Sequence, residues 1–117
     1  KKIKSSKVLI LGLAFKANCP DLRNTKVVDL INNLKLFSMD LCVCDPWVNH
    51  LEAKRKYDLD ILKNLPSNKK YDALICAVDH KQFKNIGSER WNKLLSEDGI
   101  IFDLKGIIPR DLNPIRV

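Results

Sequence analysis

Lys7-Val-Leu-Ile-Leu-Gly-Leu13 is the stretch on which the fold turns. A nearly unbroken apolar run of this length suits a central parallel strand, because neither face of such a strand meets water. Outward from it, strand and helix patterns alternate. A polar loop runs from Ala14 to Asn24. Val27, Leu30, Ile31, Leu34 and Phe37 then recur at helical spacing, with Asn24 or Thr25 placed to cap the helix. Leu41-Cys-Val-Cys-Asp45 reads as a second strand stopped by Pro46. Val48 to Tyr57 is predicted as a charged helix anchored inward by Leu51. Leu59 to Leu65 fits either a short strand or a helical turn.

Tyr71-Asp-Ala-Leu-Ile-Cys-Ala-Val78 is the next buried strand. His80 to Ile86 makes a short helix or turn, and Ser88 caps a helix carrying Trp91, Leu94 and Leu95. Gly99-Ile-Ile-Phe-Asp103 is the last clear strand, and the tail beyond Lys105-Gly106, with Pro109 and Pro114, is predicted to be irregular. Alternation of this kind implies an α/β domain, a three-layer Rossmann-like parallel sheet with helices on both faces. The 117 residues suffice for one such domain, residues 1–117, and not for two.

Composition narrows the function classes. With 45% hydrophobic and 30% charged residues the chain has the makeup of a soluble globular protein. It opens on Lys1 and not on Met, so it was processed or is part of something longer. No run approaches a membrane span and no signal peptide opens it, which makes the cytoplasm the expected location, with no membrane partner. The net charge of +7 invites a nucleic-acid reading. Its lysines are dispersed, however, and neither a basic recognition helix nor interleaved aromatics accompany them, so no nucleic-acid partner is expected. Cys42, Cys44 and Cys76 lie within apolar strands and Cys19 stands apart. That is not the paired spacing of a zinc site, and the three strand thiols read as small hydrophobes.

In parallel α/β sheets ligands bind outside the carboxyl ends of the strands. The loops there carry Lys16, Asp21 and Arg23; then Asp45-Pro46-Trp47; then Asp79-His80; then Asp103 and Lys105. Lys16, Arg23 and Lys105 are the cations suited to a diphosphate, although polar edge loops occur in any α/β domain. Gly12-Leu-Ala-Phe-Lys16 has one glycine where a dinucleotide fingerprint has three, so a nicotinamide cofactor held mainly by this chain is not expected, even with Asp45 ending the second strand as a ribose-binding acid would. Asp79 and Lys105 mimic part of a phospho-acceptor receiver site, but no acidic pair follows the first strand to hold Mg²⁺. Cys19, with Lys16 and Arg23 nearby and His80 able to approach from another loop, is a candidate nucleophile; a loop thiol without catalytic duty is the simpler reading.

The segment from Gly12 to Lys26, with its Phe15-Lys16 and Asp21-Leu-Arg23 elements, resembles the opening of the C-terminal domain of UDP-glucose/GDP-mannose dehydrogenases. The likeness continues through Asp45-Pro46-Trp47, Ala77-Val78 and Phe102-Asp103-Leu104-Lys105-Gly106. The Asn18-Cys-Pro-Asp-Leu-Arg-Asn24 form looks most like the branch acting on UDP-N-acetylhexosamines for capsule, Vi-antigen or O-antigen sugars. The resemblance implies a UDP-sugar-binding domain of an NAD-dependent 6-dehydrogenase. Its NAD domain and helical middle region, the latter forming a homodimer, would lie outside this chain. It also implies that Lys16 and Lys105 contact the UDP-sugar, that Arg23 reaches NAD across a cleft, and that the catalytic cysteine lies elsewhere, leaving the chain inactive alone. Lys105 stands where many relatives have Arg and would act as a point charge without the bidentate fork. The alternative reading is a noncatalytic nucleotide- or phosphate-binding α/β module.

Overall fold

A computed structural model describes residues 6–23, 25–37 and 39–116. Among these, the strands are β1 (Lys7–Leu11), β2 (Asp40–Cys44), β3 (Ile61–Leu62), β4 (Tyr71–Cys76), β5 (Leu95–Asp103) and β6 (Ile115–Arg116). The helices are α1 (Lys26–Lys35), α2 (His50–Tyr57), α3 (Lys81–Lys84) and α4 (Ser88–Leu94). The strands form one sheet in the order β3-β2-β1-β4-β5-β6, with every pairing parallel. The expected Rossmann-like α/β sheet is therefore what the chain forms.

The apolar run at β1 explains why the sheet is covered on both sides. Val8 and Ile10 enter one core cluster while Leu9 and Leu11 enter the other, because successive side chains of a strand point to opposite faces. All four are at most 3% exposed, and burial of such side chains contributes about 1.5–3 kcal/mol each. Ile31 of α1 and Ala53 of α2 close the first face; Phe83 of α3 and Trp91 and Leu94 of α4 close the second. Cys44 and Cys76 fall on the second face by the same alternation and pack there as hydrophobes, with Cys42 against them.

Several local expectations are corrected. Leu51 is 77% exposed, and the inward residue of α2 is Ala53; the helix begins at His50 with Asn49 as its cap, which rotates Leu51 outward. Gly87, not Ser88, is the cap position of α4. Phe37 lies beyond the end of α1 and is 57% exposed. Leu95 begins β5, two residues after Lys93 and four before Gly99. The tail is ordered: a 3-10 turn at Arg110–Leu112 leads into β6, which extends the sheet beside β5. Thr25 caps α1, its hydroxyl accepting from the Val27 N–H; Asn24 lies outside the described residues. The ambiguous segment after Leu59 supplies a two-residue strand.

Candidate functional site

Strand order reverses between β1 and β4, so the loops leaving these two strands diverge and open a crevice at the carboxyl edge. A cavity of about 230 Å³ lies there. It is lined by residues 14–17 of the loop after β1, by Thr25, Lys26 and Val27 at the start of α1, by Ala77, Val78 and Asp79 after β4, and by Lys105 after β5. Lys16 and Lys105, 89 positions apart in sequence (105 − 16), thus line one cavity. Arg23 lines a neighbouring cleft with Lys26, Asp29, Lys56 and Tyr57, and Thr25 and Lys26 border both spaces.

Arg23 is also engaged. Its Nε and Nη2 donate to the two carboxylate oxygens of Asp21 at 3.1 and 3.0 Å. The guanidinium beside Asp21, together with the Arg23 backbone N–H, holds that carboxyl at about 2. A ligand that recruits Arg23 must share it with Asp21 or displace it.

Two carboxylates shape the edge from inside. Asp45 is wholly buried at the end of β2. Its Oδ2 accepts from the Leu13 and Ala14 N–H groups at 2.7 and 3.0 Å, and its Oδ1 from those of Trp47 and Val48 at 2.7 and 3.1 Å. His80 Nε2 stands 2.9 Å from Oδ2. Burial, the largest influence, pushes this carboxyl up; the His80 bond and the Leu13, Ala14 and Trp47 N–H groups outweigh it and hold the group below its ordinary range. Asp45 therefore has no free oxygen to offer a ribose. Asp103 does the same for the last loop: its carboxylate accepts from the N–H groups of Gly106, Ile107 and Ile108, and so shapes the turn bearing Lys105. Asp45, directly after β2, and Asp103, the last residue of β5, each pin the turn that follows.

Gly12 serves the interior. At φ +101° it lies where side chains are strained, and an added Cβ would sit 2.5 Å from Val78 Cβ. Val78, in the loop after β4, packs directly against the Gly12 turn.

Sequence reasoning missed Lys26, whose place as first residue of the helix after β1 was the available signal, and did not assign Asp79 to the diphosphate side. Among the described residues no group of three or more His, Cys, Asp or Glu side chains is arranged to hold a metal. Burial, first of all, pushes the Cys44 and Cys76 thiols up to about 12. A thiol-specific reagent applied to the native chain at pH 8 is expected to label neither until denaturant is added, whereas Cys19 reacts in the native state; native labelling of Cys44 or Cys76, read by peptide mass mapping, would contradict the packing.

Fold and edge together define a doubly wound α/β domain whose switch-point cavity is cationic and opens beside a helix N-terminus. Residues 9–110 match the model of the "UDP-glucose/GDP-mannose dehydrogenase family, UDP binding domain", and the chain belongs to that family. It is 40% identical over 115 residues to a UDP-N-acetyl-D-glucosamine 6-dehydrogenase of Pseudomonas aeruginosa, matching 98% of this chain and 27% of the relative. It is 38% identical to the protein of the same name from Salmonella typhi, again over 98% of this chain and 27% of the relative. The chain thus spans about a quarter of the length of these relatives. A crystal structure of an NDP-N-acetyl-D-galactosaminuronic acid dehydrogenase from Methanosarcina mazei superposes with a TM-score of 0.83 at 24% identity, over 96% of this chain and 23% of that one, and has the same fold. Among the described residues no helix is long and apolar enough to cross a membrane.

Proposed function

We propose that this chain is the nucleotide-sugar-binding domain of an NAD-dependent UDP-sugar 6-dehydrogenase that oxidises the sugar C6 alcohol to a carboxylate for surface polysaccharide synthesis. The observation that carries this reading is the convergence of Lys16 and Lys105 with the first turn of α1 around one crevice. A diphosphate needs cations, and a helix N-terminus adds N–H donors and the positive end of its dipole. Lys26 adds a third positive charge to the lining, which also includes the carboxylate of Asp79.

The substrate in this reading is a UDP-N-acetylhexosamine, in keeping with the names of the relatives. In this reading NAD accepts the hydride and is held by a separate domain outside this chain, which is supported by Gly12-Leu-Ala-Phe-Lys16 having one glycine where a dinucleotide fingerprint has three. Arg23, at the edge beside the cavity, faces that domain across a cleft. The catalytic cysteine also lies outside, and Cys19 has no catalytic duty. The enzyme works as a cytoplasmic homodimer, with the dimer contacts in its middle region.

Lys16→Ala is expected to weaken binding of a UDP-sugar by about tenfold or more, since a charge-assisted contact partly shielded from water contributes roughly 1.5–3 kcal/mol; Lys105→Ala should follow in the same direction. Calorimetric titration of the chain with UDP-N-acetylglucosamine, ATP and short duplex DNA tests the assignment. Preference for the uridine nucleotide that is lost in both variants supports it. Equal binding of UDP-sugar and ATP favours a noncatalytic phosphate-binding module, and steeply salt-dependent DNA binding favours a nucleic-acid role. Turnover of UDP-sugar and NAD by the chain alone would sink the division of labour.

A further inference from the structure

We propose that Asn18 and His80 are positioning residues for Lys16, holding its loop in the shape that receives the diphosphate. The inference rests on the reading of Lys16 given above. Asn18 lies two residues beyond Lys16 and has φ +56°, in the left-handed region that side chains disfavour and Asn tolerates best. Two hydrogen bonds hold it there. Its backbone N–H donates to His80 Nδ1 at 2.9 Å, and its side-chain Oδ1 accepts from the Lys81 N–H at 2.7 Å. The second bond is a helix cap supplied from another loop, because α3 has no side-chain cap of its own.

His80 has no latitude to move. It is wholly buried, with the rings of Trp47 and Phe83 at centroid distances of 6.3 and 5.6 Å from its own. Because Nδ1 accepts from Asn18, the ring proton sits on Nε2 and is donated to Asp45 at 2.9 Å. The tautomer is set by these two neighbours. A chain of contacts thus runs Asp45–His80–Asn18, from the residue after β2 through the cap of α3 to the loop after β1. Neither Asn18 nor His80 lines the cavity, and Lys16 does. The contacts order that loop before a ligand arrives, so that binding does not bear the cost of ordering it.

The test is a double-mutant cycle on this chain, with the dissociation constant of UDP-N-acetylglucosamine read by calorimetry. Asn18→Ala is expected to weaken binding about fivefold, the effect of one ordering hydrogen bond. That loss should vanish when Lys16→Ala is already present, because the two act as one unit. His80→Gln, whose amide can donate to Asp45 and accept from Asn18, should hold wild-type affinity, while His80→Ala should match Asn18→Ala. Wild-type affinity in Asn18→Ala, beside a weakened Lys16→Ala, overturns the positioning role and leaves the site standing. An equal loss with and without Lys16 overturns it as well. Wild-type affinity in Lys16→Ala, or no binding by the unaltered chain, removes the site reading and the positioning role with it. If the His80 variants do not fold, the Asn18 cycle decides alone.

Discussion

Asp45→Asn is expected to lower the unfolding free energy by about 3 kcal/mol at pH 7, a large share of the ~5–15 kcal/mol of a small domain. The carboxylate accepts four backbone N–H groups and the His80 bond in a wholly buried place. The amide replaces one acceptor oxygen with a donor. Whichever way it turns, its NH₂ group faces two backbone N–H groups, those of Leu13 and Ala14 or those of Trp47 and Val48. Urea titration followed by tryptophan fluorescence measures the loss, and a change under 1 kcal/mol would show that the network is dispensable.

The pH dependence follows from the lowered pKa of Asp45 in the folded chain. A depressed acid contributes stability that is complete above its unfolded pKa of about 3.9 and is lost as pH falls through that value toward the folded one. The gap between wild type and Asp45→Asn should therefore be constant above about pH 5 and narrow steadily below about pH 4. A gap that widened on acidification would mean that the carboxyl is held protonated in the fold.

Gly12→Ala is the second change of this size. Its Cβ would lie 2.5 Å from Val78 Cβ, 2.8 Å from Val78 Cγ2 and 2.9 Å from the Val78 backbone nitrogen. Backbone cannot step aside as the end of a long side chain can. The left-handed strain adds about 1–2 kcal/mol and the overpacking about 1–3 kcal/mol. The expected outcome is a loss of about 3 kcal/mol in urea titration, or a chain that does not fold. A variant as stable as wild type would mean that the β1 and β4 loops are not in contact.

Local pattern carried much of this far. The apolar run at Lys7–Leu11 and those at β2 and β4 announced a parallel sheet covered on both faces, because periodicity and β-branched content are properties of neighbours in sequence. Where the reading slipped, a one-residue phase was at stake. Leu51 and Ala53 are two positions apart on a helix, about 200° around it, so an error in where α2 starts turns an anchor into a solvent-facing residue. The β6 strand was invisible because two residues carry no period; pairing with β5 creates it.

The site divides the same way. Lys16, Lys105 and Arg23 were legible as cations on carboxyl-edge loops, and the Gly12 to Lys26 segment carried the family likeness. Which cations share a cavity was not legible. That Lys16 and Lys105 do, while Arg23 pairs with Asp21 in the adjoining cleft, depends on the order of strands in the sheet. Asp45 shows the limit most clearly. In the sequence it is an acid at a strand end, open to ribose or to structure alike, and only the folded chain brings four N–H groups and His80 onto it.

By itself, then, the sequence determined the α/β architecture, the edge that carries the chemistry and the kind of group found there, since each follows from residue type and local spacing. Tertiary structure alone decided which distant loops meet, that Val78 packs against Gly12, and that His80 bridges Asp45 and Asn18. Those are outcomes of residues meeting across as many as 89 positions of sequence (105 − 16), and juxtaposition at that separation is set by packing of the whole sheet, which no local pattern encodes.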